Sequence, residues 1–367
     1  MALFRFADIY GDLELLAQYT GQRATVKRLI NEAVGYIADE HEWPELWDRS
    51  FFTTVVEYAT GTVTATNGST TITGASTTFT AAMVGRKFRV GSENAYYTIA
   101  AFVSTTEVTL TEPYQGTTAS GSSYSIYQDE FRLLMDVDQV KLIRQIENGV
   151  PLISKHPTDL DLEIPTPSSM GPADFSIFVG TKKDTYATGT VSMTSSSRTL
   201  TGSSTAWTSV QGLGRGTRIQ IGSLIFTVRV VDSATSITTY EVATSTVSAG
   251  TAYTALLDNP IVQLYTIPDT AENYYYRYQR IPGLLDADQD VPDLPHYLHP
   301  LIKPYVLQFL WEAKGLFDRK TSAQATYAGM LEKARRTHGL TNPDRVYRRK
   351  SADRTNRLMS GRSLILE

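Results

Sequence analysis

The 367-residue chain has no cysteine and only five histidines. That removes disulfides, thiolate metal sites and cysteine nucleophiles, and leaves few residues for nucleophilic or metal catalysis. No apolar run approaches the roughly 20 residues a membrane-spanning helix needs. The opening, MALFRFADIYGDLELLAQY, lacks a charged stretch followed by an apolar one, so no secretory signal is expected. Neither a G-x-x-x-x-G-K-[ST] phosphate cradle nor a strand-linked G-x-G-x-x-G is present.

The remaining chemistry-bearing residues form weak constellations. His296 and His299 are three apart at a proline-flanked helix start, without the H-E-x-x-H spacing of zinc proteases. Asp286, Asp288 and Asp290 imitate the opening of a calcium loop, but Val291 stands where that loop needs glycine and Tyr297 where it needs glutamate. The expectation is a solvated acidic turn. Asp159, Asp161 and Glu163 alternate in a loop with no partner for glycoside hydrolysis. His41, His156 and His338 stand alone. No catalytic, cofactor-binding or metal site is expected, and the chain does not read as an enzyme.

What the sequence does carry is a repeat. GTVTATNGSTTITGASTTFT (61–80) matches GTVSMTSSSRTLTGSSTAWT (189–208) at a constant offset of 128, with 11 of 20 positions identical. The offset then becomes 129, so that Gly85, Arg86 and Arg89 align with Gly214, Arg215 and Arg218, one residue being added opposite 81–84. Thr98, Ser104, Thr106, Thr109, Gly121 and Tyr124 align with Thr227, Ser233, Thr235, Thr238, Gly250 and Tyr253. Apolar positions swap conservatively, Ile72 with Leu200, Phe79 with Trp207, Tyr97 with Phe226. Each copy is rich in Thr, Ser, Val and Gly, has short strand-like runs such as Lys87–Val90 and turns such as Asn67-Gly68, and reads as a small sandwich or barrel.

Outside the copies the ends read as helical. Val26, Leu29, Ile30, Ala33, Val34 and Ile37 make one apolar stripe. Trp43-Pro44-Glu45-Leu46-Trp47 ends it in a turn docked on a core, and Phe51–Tyr58 reads as a strand. Phe175–Val179 reads as a strand, and Pro260–Pro268 with Tyr274–Gln279 as a strand pair. A helix enters at Asp293-Leu294-Pro295, is kinked or divided at Pro304 and stops at Gly315; a second spans 322–338. The expected fold class is therefore α+β: a discontinuous helical core (1–59, 128–187 and 257–341), two homologous all-β inserts (60–127 and 188–256), and an extended basic C-terminal arm (342–367).

Charge is unevenly placed. Residues 303–367 hold 14 Lys/Arg against 6 Asp/Glu, a net of +8, whereas 1–302 hold 20 against 32, a net of −12. A basic tail on an acidic body marks a partner-binding arm or a solvated terminus.

Three segments resemble the head-to-tail adaptor (connector) proteins of tailed bacteriophages. They are the N-terminal helix pattern ending in Trp43–Trp47; the run from Tyr274 through the acidic loop to the Leu-Pro helix start and Ile302; and the Thr/Gly-rich modules with their G-T-V-T…V-G-R-K-F-R-V pattern. The resemblance implies a structural ring of about twelve copies in the virion neck, made in the host cytoplasm, joining portal to tail or nozzle protein. DNA would pass through its lumen without sequence-specific binding, and an acidic wall suits a channel that does not retain phosphates. It further implies that Arg345, Arg348, Arg349, Lys350, Arg354 and Arg357 dock on an acidic portal surface. The inserts would project outward and offer fibre attachment. The competing expectation is a tail or fibre-attachment protein that binds host glycans through Tyr96, Tyr97, Tyr114 or Trp207.

Overall fold

The computed structural model describes residues 4–18, 22–91, 93, 95–147, 149–163 and 169–338. Among them are helices α1 (Phe6–Ala17), α2 (Arg23–Asp39), α3 (Pro157–Glu163), α4 (His299–Ala313) and α5 (Phe317–His338). The stripe on α2 is buried throughout. It packs with Phe6, Ile9 and Leu13 of α1 and Leu301, Ile302, Val306 and Leu310 of α4 in one core, which α5 joins through Ala323, Tyr327 and Leu331. Burying each large apolar side chain contributes roughly 1.5–3 kcal/mol, so this stripe is what holds α2 in place. Pro304 does not divide α4. It forfeits one hydrogen bond, to the Pro300 carbonyl, close to the helix start, and the helix runs on to Ala313.

The helices are not the core of the molecule. Strand accounts for 38% and helix for 24%, and the expected helical core with two β inserts is overturned. The frame between the repeats is itself β. Strand Asn273–Arg280 lies between antiparallel neighbours Trp47–Thr53 and Val137–Gln145. Its Tyr274, Tyr276 and Tyr278 face inward with Phe52, Ile143, Phe131, Val262 and Leu264, and the Phe52 ring stacks at 5.1 Å on Phe131 and 5.6 Å on Tyr274. The opposing layer is a long ribbon in which strand Phe175–Tyr186 pairs with Thr254–Tyr265 from Phe175↔Tyr265 to Tyr186↔Ala255. The expected pairing of Pro260–Pro268 with Tyr274–Gln279 is absent, because these segments belong to the two facing layers. The misreading has a physical source in Val137–Gln145, where two irregularities in the pairing with Asn273–Arg280 break the period-two alternation by which a strand is read.

Each repeat copy is a small barrel with the same strand order. In the first the order is Ala119–Ser122, Thr62–Ala65, Thr71–Ala75, Glu107–Leu110, Tyr97–Ser104, Lys87–Val90, Tyr124–Tyr127. The first and last of these are one bent strand, separated by Ser123 alone, so the sheet closes on itself. The second follows Val247–Thr251, Thr190–Met193, Thr199–Ser203, Ser236–Thr239, Leu224–Ser233, Arg218–Ile221 and Thr254–Tyr265. Equivalent contacts recur. Tyr58 Oη accepts from the Thr78 N–H at 2.6 Å, and Tyr186 Oη from the Ala206 N–H at 3.1 Å. Tyr124 Oη donates to the Thr60 carbonyl at 2.6 Å, and Tyr253 Oη to that of Thr188 at 2.8 Å. Gly61 and Gly189 adopt φ of +85° and +84°, where a Cβ would lie 2.4 Å from the Ala75 and Ser203 carbonyl oxygens.

Backbone pairing revises the register between copies. The Gly85 N–H donates to Ile99 O at 2.8 Å and the Gly216 N–H to Val228 O at 2.9 Å, both glycines at positive φ. Lys87 pairs with Thr98 and Arg218 with Thr227. Gly85 therefore corresponds to Gly216, Arg86 to Thr217 and Lys87 to Arg218. The second copy has three more residues before this strand and two fewer in the hairpin after it. A shared G-R-x-x-R spelling had suggested a single addition. The two readings differ by two residues, which leaves the alternation of faces unchanged, so the pairing partners and not the side-chain pattern decide between them.

Candidate functional site

The chain's polar chemistry converges where the helices, the frame and the second barrel meet. The loop after Asn273–Arg280 is the keystone. Asp286 accepts from the Val242 N–H of the second barrel at 2.8 Å, Asp288 pairs with Lys27 of α2 at 3.0 Å, and Asp290 pairs with Arg198 of the barrel at 2.6 Å. The Phe6 N–H of α1 donates to Asp290 O at 2.7 Å, and Asn31 of α2 exchanges hydrogen bonds with the Leu285 backbone at 2.9 and 2.8 Å. Asp286 and Asp288 are exposed, as expected of a solvated acidic turn, and Asp290 is half-buried; each carboxylate also holds a different neighbour. Burial opposes ionisation of Asp290, but Arg198 and the backbone N–H groups of Asp286 and Ala287 hold its carboxyl below the usual range. Burial likewise opposes that of Asp293, which Arg280 holds low through a bidentate pair.

Beneath the loop lies a cleft of about 620 Å³ lined by Arg198, Arg215, Arg229, Arg280 and the carboxylates of Asp48, Asp290 and Asp293. Arg215 pairs with Asp48 at 2.9 Å and approaches Asp136 at 3.6 Å. Asp136 is buried, and that burial pushes its carboxyl up to about 6 despite Arg215 and the Tyr278 hydroxyl. Arg215 belongs to the stretch Gln211-Gly-Leu-Gly-Arg-Gly216, where the second copy is longer. This loop lies directly on segment 131–136: a Cβ on Gly212 would meet Arg132 Cβ at 2.8 Å, on Gly214 Leu134 Cδ2 at 2.4 Å, and on Gly216 Asp136 N at 2.9 Å. Asn259 closes the joint by donating to the carbonyls of Leu133 and Gly212 at 2.6 and 2.8 Å.

The first barrel is attached differently. Its junction holds a pocket of about 250 Å³ with Arg86, Lys87, Glu130, Arg132, Lys182 and Asp184 in its lining. Glu130 bridges Lys87 at 3.1 Å and Lys182 at 3.2 Å. Gly85, the counterpart of Gly216, has open space where a side chain would be.

The remaining candidates are scattered. His299 is buried and its Nε2 lies 2.9 Å from the Leu294 carbonyl, while His296 is exposed. Tyr97, Tyr114 and Trp207 are core residues of the barrels, and only Tyr96 of the four glycan-contact candidates is exposed. Among the described residues no three His, Asp or Glu side chains converge as metal ligands, and no helix is long and apolar enough to cross a membrane. Arg345, Arg348, Arg349, Lys350, Arg354 and Arg357 lie outside the described residues. Sequence reasoning missed Arg215, hidden by the mistaken register, and the joint role of the acidic loop, which has no spacing signature.

Comparison of the sequence with protein-family models and with curated proteins returns no match.

Proposed function

We propose that this chain is a structural subunit of a tailed-bacteriophage neck, a head-to-tail adaptor whose copies form a ring that joins portal to tail and lets DNA pass. The observation that carries the reading is that the separated segments of the resemblance meet in space. Trp47 pairs with Gln279 at the end of the tyrosine strand. Trp43 packs edge-on against Tyr297 with ring centroids 6.1 Å apart, and Tyr297 Oη donates to Glu45 at 2.9 Å. Gln279 Nε2 reaches the carbonyls of Ala38 and His41, both at 3.3 Å. The motif residues thus build one rigid joint between bundle and sheet. Around it Glu42 pairs with Lys141, Asp48 with Arg215 and Glu40 with Arg335. The basic arm, with Arg345, Arg348, Arg349, Lys350, Arg354 and Arg357, is the portal-binding element of this proposal.

The test is mass photometry and negative-stain imaging of the full chain, alone and mixed with the portal protein of the same virus. A ring of about twelve copies seated on the portal is the expected result. A chain that stays monomeric in the presence of portal overturns the proposal.

A further inference from the structure

The two barrels are built on one plan, so the first serves as a control for the second, and backbone hydrogen bonds set the correspondence. The Leu110 N–H donates to Thr70 O at 2.8 Å and the Thr239 N–H to Arg198 O at 2.9 Å. The Thr111 N–H donates to Thr98 O and the Tyr240 N–H to Thr227 O, each at 2.9 Å. With Gly85 matched to Gly216 and Ile99 to Val228, Thr70 corresponds to Arg198, Val84 to Arg215, Ala100 to Arg229 and Thr111 to Tyr240. The four residues of the first barrel are exposed and uncharged, whereas the four of the second all line the cleft of about 620 Å³ beneath the acidic loop.

Attachment of the barrel explains two of the three added arginines. Arg198 holds Asp290, and Arg215 holds Asp48. Arg229 and Tyr240 attach nothing. Arg229 has no ion pair or hydrogen bond among the described residues, and its guanidinium lies 6.0 Å from the centre of the Tyr240 ring. It stands where the pairing of Leu224–Ser233 with Ser236–Thr239 shifts between Val228 and Val230, a bulge that Ala100 occupies in the first barrel. Such bulges re-aim a side chain away from the ladder. The Tyr240 ring lies on Gly283, where a Cβ would meet its Cε1 at 2.1 Å, and its hydroxyl has no hydrogen-bond partner among the described residues. Burial and Asp293 hold that hydroxyl above its ordinary range while Arg215 and Arg280 pull the other way, so it remains a donor within the arginine cluster.

We infer that this cleft binds the phosphoryl group of a ligand, with Arg229 and the Tyr240 hydroxyl as its principal donors. Arg198, Arg215, Arg229 and Arg280 face only Asp48, Asp290 and Asp293 in the lining, so one cation is in surplus, and Arg229 is that cation. Asp136, buried behind Arg215, does not line the cleft. The three carboxylates hold the other guanidinium groups in place before a ligand arrives, which removes the ordering cost of binding. Their donors are not used up: Arg198 engages Nη2 alone and Arg215 Nη1 alone, and a guanidinium carries five N–H groups. Donors arriving from several strands suit a tetrahedral oxyanion, whose oxygens point in different directions, better than a planar carboxylate. The volume falls within the roughly 300–1,000 Å³ of small-molecule sites and leaves room for the group that carries the phosphate. A small phosphomonoester and a nucleic-acid backbone both present this chemistry. The inference does not depend on the neck reading.

Isothermal titration calorimetry of the full chain with inorganic phosphate, at neutral pH and about 50 mM chloride, is the test, because low salt leaves charge contacts unscreened. A single site with a Kd of about 1 mM or tighter is expected, as for an oxyanion held by a few charge-assisted hydrogen bonds. Arg229→Ala should weaken it by about tenfold or more and Tyr240→Phe by about threefold or more, with thermal midpoints in the absence of phosphate unchanged. Ala100→Arg puts the same side chain on the same bulge of the first barrel, where there is no cleft, and should add no second site. Adenosine monophosphate and a short oligothymidylate separate the sources. Binding tighter than that of phosphate by the first assigns a phosphomonoester, and by the second a nucleic-acid backbone. Absence of binding at about 10 mM phosphate overturns the inference, as does an affinity that both cleft variants leave unchanged, or a second site created by Ala100→Arg.

Discussion

Replacing Asp136 by asparagine separates the two roles of the carboxylate beneath Arg215. Asp136 is 5% exposed, and its carboxyl is raised from 3.8 to about 6, first by burial, against the pull of Arg215 and Tyr278. Because the folded-state value is the higher one, the folded chain keeps a proton that the unfolded chain releases. The stability this gives is fully present below about pH 4 and is lost as pH rises through about 6. The slope is about 1.4 kcal/mol per pH unit, so the whole loss is about 3 kcal/mol. The substituted amide does not titrate, still accepts from Tyr278, and leaves Arg215 its 2.9 Å contact with Asp48. Urea midpoints followed by tryptophan fluorescence at pH 4, 5, 6, 7 and 8 give the difference between D136N and wild type directly. The difference should move in favour of D136N by about 3 kcal/mol between pH 4 and 7 and then stay level. A flat difference, or one moving toward wild type as pH rises, would show that the Arg215 ion pair outweighs burial and that the reasoning about this cleft is wrong.

Gly216→Ala meets both a φ of +86° and the Asp136 backbone, whereas Gly85→Ala meets only a φ of +83°. Hydrogen exchange should show the second barrel loosened by about 1–3 kcal/mol more than the first. Arg198 and Asp290 are mostly shielded, so a double-mutant cycle on them should give a coupling of about 1–3 kcal/mol, while the exposed Arg28–Glu32 pair of α2 should give under about 0.5 kcal/mol. Removing residues 342–367, which lie beyond the end of α5 at His338, should abolish portal capture in a pull-down. Retained capture would detach Arg345 to Arg357 from the proposed role.

Local signals in the sequence carried as far as single elements. The α2 stripe is buried as its spacing requires, and Lys87–Val90 is a strand with the expected ends, because both depend on side chains a few residues apart. Pairing between distant elements was not legible. The Pro260–Pro268 stretch and Tyr274–Gln279 are neighbours in sequence yet face each other across a core, and only the inward placement of Tyr274, Tyr276 and Tyr278 shows it. The copy register failed for a related reason: identical letters in a loop carry no geometry, whereas the Gly85 and Gly216 hydrogen bonds do. The acidic loop was legible as a turn, but not its partners, since Asp286, Asp288 and Asp290 differ only in what the fold brings to them.

A chain that spells the same barrel twice must keep the copies apart while it folds, because strands that match at 11 of 20 positions can pair with the wrong partner. The conservative swaps in the two cores serve as keys against that exchange. Trp207 fills the second barrel and donates from Nε1 to Tyr253 Oη at 2.8 Å. Phe79, in its place in the first, is smaller and has nothing to donate. Carrying the Phe79 segment into the second barrel would leave a void and remove a buried hydrogen bond, and carrying Trp207 into the first would overfill it. The divergence between the copies is therefore an address label, telling each strand to which barrel it belongs.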